Sequence, residues 1–156
     1  MAALHWNTIQ PTVDTIILHG QIDEVQFMQT YSLLHSIQDT LIKREIIELV
    51  QLKLKNHLTI YHNQLENVDD PMYTITIQWN IFIQACKILN SLFALYIKSI
   101  NRRALKMNST LITPLYDFGL KCWYDDDRLP NLPLPMKSDK DSKGDLESLS
   151  FDHLNI

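Results

Sequence analysis

The chain has 156 residues, 46% of them hydrophobic, which suffices for one domain with a real core and excludes disorder throughout. A formal charge of −4 and a pI of about 5.8 give no electrostatic footprint for nucleic acid. Three glycines argue against a turn-rich β fold, and two cysteines, Cys86 and Cys122, read as free buried thiols of a reducing compartment rather than as a disulfide framework.

The opening Ala2-Ala3-Leu4-His5-Trp6-Asn7 has neither the basic start nor the apolar run of a signal peptide. Trp6, Ile9, Val13, Ile16 and Ile17 then share one helical face. Asn7 or Thr8 is the expected cap, Pro11 is tolerated near the start, and Gly20 is the expected stop. A second helix is expected from about Asp23 to Asp39, with Thr30, Leu34, Ile37 and Leu41 inward. Phe27, Tyr31 and His35 fall at i, i+4, i+8 on a different face. A third helix spans about Ile42 to Leu65, presenting Ile47, Val50, Leu54, Leu58, Tyr61 and Leu65.

The stretch from Asp69 to Ile100 reads as the central helix. Asp69 or Asp70 can cap it, and Pro71 fits its first turn, where a missing N–H costs nothing. Ile75, Trp79, Phe82, Cys86, Leu89, Phe93, Tyr96 and Ile100 run in steps of four and three. A second row, Ile81, Ala85, Ile88, Leu92 and Leu95, widens the stripe to about half the circumference, so other helices must cover it. Gln78, Asn80, Gln84, Lys87 and Asn90 interrupt the apolar run, which argues against a membrane span. The basic Asn101-Arg102-Arg103-Ala104-Leu105-Lys106 extends this helix or closes a loop, and Lys98, Arg102, Arg103 and Lys106 read as a solvated helix end. A fifth helix is expected from Leu111 to Tyr124, capped within Asn108-Ser109-Thr110 and facing inward with Leu111, Leu115, Phe118 and Cys122. The acidic Asp125-Asp126-Asp127 opposes the helix dipole and should end it.

The expected organisation is therefore an all-α, five-helix domain over residues 5–127, followed by a Pro- and charge-rich flexible tail over 128–156. No site signature of an enzyme appears. His57 and His62 are five apart, misplaced for an i, i+4 metal pair, the Asp125–Asp127 run lacks the glycine and alternation of a calcium loop, and no glycine-rich phosphate loop exists. No cofactor or metal is expected. The Phe27, Tyr31, His35 row, flanked by Gln26, Gln29 and Gln38, has aromatic anchors and a polar rim, the makeup of a recognition surface. The other reading of the same row is that the fifth helix or the tail covers it.

Leu115-Tyr116-Asp117-Phe118-Gly119-Leu120-Lys121-Cys122-Trp123-Tyr124-Asp125 resembles the fifth helix of the first cullin repeat. Trp6 with Ile9 and Val13 resembles the family's first helix, Phe27 to His35 its second, and Trp79 matches a Trp common in its fourth. Where the family often carries a Tyr-Met-Asp-Arg-like run, this chain has Tyr96-Ile97-Lys98-Ser99. The order and spacing are similar to one cullin repeat over about Trp6 to Asp126. Cullins are elongated scaffolds of modular ubiquitin ligases, and their N-terminal repeat docks an adaptor of the Skp, elongin C or BTB type through its second and fifth helices. The resemblance thus implies a five-helix cullin-repeat bundle, acting in the cytoplasm or nucleus, with Gln26, Phe27, Tyr31, His35 and Tyr116 as the adaptor contacts. It covers no RING-binding region, and it leaves open a single-repeat protein akin to the kinase-associated cullin-like ones, whose row is buried in its own fold.

Overall fold

The computed structural model describes residues 2–130 and 132. Five helices follow in order: α1 (Ala2–His19), α2 (Glu24–Ser36), α3 (Thr40–Leu65), α4 (Pro71–Lys106) and α5 (Leu115–Asp125). No strand occurs among the described residues, so the expected all-α class holds.

Three aspartates open three of the helices. Asp23 accepts from the Gln26 amide, Asp39 from those of Leu41 and Ile42, and Asp70 from that of Tyr73. Each satisfies backbone N–H groups that the helix leaves unpaired, and each is worth about 1 kcal/mol. Pro71 occupies the first turn of α4, as its fixed φ favours.

The start of α1 differs from the expectation. It begins at Ala2, not after a cap at Asn7 or Thr8, so Pro11 lies inside the helix. The ring faces solvent, where water can take the hydrogen bond that the Asn7 carbonyl loses. Gly20 does end α1, at φ +67°, a conformation that disfavours any side chain. A Cβ there would also come 2.9 Å from the Ile81 carbonyl, so this turn rests directly on the backbone of α4.

α4 is the centre. Its eight-residue row from Ile75 to Ile100 is wholly buried, and α1, α2, α3 and α5 all pack on it. By length and composition α4 could cross a membrane, but half of its most apolar window is buried inside the bundle. Trp79 and Cys86 are part of that core: Trp79 stands 4.6 Å from Trp123, ring to ring.

α5 starts four residues later than the expected Leu111 and is rotated relative to the expected face. Asn101 holds the Ile112 backbone by two hydrogen bonds, donating to its carbonyl at 2.9 Å and accepting from its amide at 2.7 Å. Thr113 precedes a proline, which disfavours helical geometry there, and the helix starts at Leu115 with Pro114 at its cap. Leu115, Gly119 and Trp123 face inward, whereas Leu111 is exposed and Phe118 and Cys122 are half-buried. Gly119 is needed at its position, because a Cβ would collide with the Cys86 sulfur. Both cysteines are free thiols.

The packed chain continues past Asp127. Leu129 is buried, the Pro130 carbonyl accepts from Trp123 Nε1 at 2.9 Å, and the Leu132 carbonyl accepts from the Tyr124 hydroxyl at 3.0 Å. The remainder of the expected tail, 131 and 133–156, lies outside the described residues.

Candidate functional site

α2 is the helix with the least cover, packing chiefly on α4 and α1. Its inward row is Phe27, Thr30 and Leu34, continued by Ile37 beyond the helix end. Leu41, expected inward on the same helix, instead lies in α3 and is exposed.

Thr30 is the polar member of that row and it is satisfied. Its hydroxyl shares a 2.7 Å hydrogen bond with that of Thr12 on α1, and Gln26 Nε2 donates to Thr12 Oγ1 at 3.1 Å. Gln26 therefore contributes to the α1–α2 seam and is half-buried. With Asp23, Val25 and Gln29 it also lines a groove of about 430 Å³ against Thr8 and Pro11.

Phe27 corrects the expectation for the aromatic row. It is 1% exposed, so it is a core residue and not a surface anchor. A step of four residues advances about 40° beyond a full turn, so a row at i, i+4, i+8 winds around its helix. Phe27 lies inside, Tyr31 is half-buried at the edge, and His35 is exposed. The three rings remain in contact, with Phe27 and Tyr31 stacked at 6.2 Å and Tyr31 and His35 tilted at 4.3 Å.

The exposed face includes a residue that the sequence reading missed. Met28, Tyr31 and His35 fall at i, i+3, i+7, and Met28 is exposed. The combined steps of three and four were the available signal, and the uniform i+4 row concealed it.

Tyr116 lies in the first turn of α5 and is half-buried. Its amide donates to Asn90 Oδ1 on α4 at 3.2 Å, and burial pushes its phenol pKa up. α5 packs on α4 and α3, and no ring contact or hydrogen bond joins Tyr116 to Phe27, Tyr31 or His35. The fold thus brings Tyr31, His35 and Met28 together and leaves Tyr116 on a separate helix.

Among the described residues, no three His, Cys, Asp or Glu side chains are grouped to hold a metal ion. No family model, no curated protein and no solved structure matches the chain.

Proposed function

We propose that this chain is a cullin-like scaffold module that binds a substrate-receptor adaptor of the Skp, elongin C or BTB fold in the ubiquitin-ligase system. Its role is binding, not catalysis, and it acts in the cytoplasm or nucleus. The observation that carries this reading is the edge of α2, where the half-buried Tyr31 meets the exposed His35 ring to ring and stacks on a buried Phe27, with the exposed Met28 one turn away on the same face. Rings held by a rigid core lose little entropy on docking, and one aromatic anchor can contribute about 2 kcal/mol or more. Gln26 belongs to the proposed contact at its rim, Phe27 supports it from beneath, and Tyr116 on α5 is a second, separate point of the proposed contact.

The burial of Phe27 favours a second reading, a cullin-like helical interaction domain, kinase-associated or structural, that binds no adaptor. The two separate in a titration of the full chain against a Skp-type adaptor, elongin B/C and a panel of BTB domains. The first reading expects binding to one class, weakened about 30-fold or more by Tyr31→Ala/His35→Ala with helicity unchanged. No binding by the folded chain, or full affinity in the double variant, supports the second.

A further inference from the structure

The chain carries no Asp or Glu between Asp70 and Asp117, and that stretch includes all of α4. The outer face of the last third of α4 is basic. Lys98, Arg102, Arg103 and Lys106 are exposed, and none forms an ion pair among the described residues. Bare apolar side chains lie among them: Leu95 is 40% exposed, Leu105 67% and Met107 63%. Leu95, Lys98, Arg102 and Leu105 follow helical spacing, so they share one face. The helix dipole accounts for cations in the final turn, Arg103 and Lys106. It does not account for Lys98, two turns back, or for uncovered leucines between the charges.

The complementary chemistry is in the same chain. Residues 145–156, outside the described residues, read Asp-Leu-Glu-Ser-Leu-Ser-Phe-Asp-His-Leu-Asn-Ile. This segment has acids at Asp145, Glu147 and Asp152, no Lys or Arg, and apolar residues interleaved throughout. We infer that segment 145–156 docks in cis on the basic, apolar outer face of α4 around Lys98, Arg102 and Leu105. The tether reaches. Leu132 is fixed by Tyr124, whose ring lies 5.6 Å from that of Trp79. From Trp79 to Arg102 is about 35 Å along the helix axis. The stretch from Leu132 to Asp145 spans about 43 Å when extended. A tether of this kind supplies an effective concentration of about millimolar, so individually weak ion pairs and apolar contacts suffice.

Zero-length carbodiimide coupling of the full chain tests the inference, because it joins a carboxylate to a lysine amine only where the two touch. An equal mixture of unlabelled and ¹⁵N-labelled chain separates links within one molecule from links between two. The expected result is same-isotope links from Asp145, Glu147 or Asp152 to Lys98 or Lys106. They should fall about 5-fold or more in 1 M salt, where the screening length is about 3 Å, and equally in Arg102→Glu/Arg103→Glu. Absent links, links undiminished by charge reversal, or mixed-isotope links alone overturn it, the last in favour of a second copy. So does arginine-dependent binding of the intact chain to phosphatidylserine vesicles, which assigns the face to a lipid surface.

Discussion

Phe27 and Tyr31 are one helical turn apart and stacked, yet they perform different physical work. Phe27 fills the core, so Phe27→Ala should cost about 3–5 kcal/mol, the usual penalty for emptying a buried aromatic site. Tyr31→Ala removes a half-buried edge ring and should cost less than half as much. Urea unfolding of the two variants measures both, and equal losses would place Tyr31 in the core and remove it from any docking surface. The row was legible in the sequence as aromatic, but its depth was not. Thr30, a polar residue, lies in the buried row because Thr12 on α1 satisfies it across 18 positions of sequence, a pairing that local spacing cannot reveal.

At the scale of the element, the long α4 was legible in the sequence in both place and face, whereas the short α5 was legible as a helix but not in its start or its face. The α4 row needed no tertiary information, since eight apolar positions in steps of four and three have one consistent arrangement. α5 is 11 residues long, so a shift of its start changes which face is apolar. Its true start depends on Asn101 holding Ile112, a contact made from another helix. Gly119 is the element's tightest point, placed against Cys86. Gly119→Ala should destabilise the domain by about 1–3 kcal/mol, despite the roughly 1 kcal/mol by which Ala is the better helix former. Cys86→Ala removes the sulfur, and the remaining neighbours, Cys86 Cβ at 3.5 Å and Phe82 at 3.6 Å, are ordinary contacts. The double variant should therefore recover most of the loss measured in Gly119→Ala relative to Cys86→Ala. Additive losses in thermal unfolding would show that the α4–α5 contact is not limited at this point.

For the whole molecule, acid acts in two ranges. Burial against Tyr61 lowers the pKa of His57, an effect that Asp14 only partly offsets. The unfolded chain then binds the proton more readily, so this group's contribution is intact above pH 6.5 and is lost as pH falls through the histidine range. Asp126, accepting from Arg128, has its pKa lowered, and its contribution disappears only as pH falls below the ordinary carboxylate range. Melting curves should show a first decline between about pH 7 and 5 that His57→Gln flattens, and a later one that it leaves in place. The position of α4 in the chain also governs the order of synthesis. The helix on which α1, α2 and α3 pack follows them in the chain, so during synthesis they emerge before that surface exists. Until α4 follows, the nascent chain presents uncovered apolar faces, the kind of surface that holdase chaperones guard.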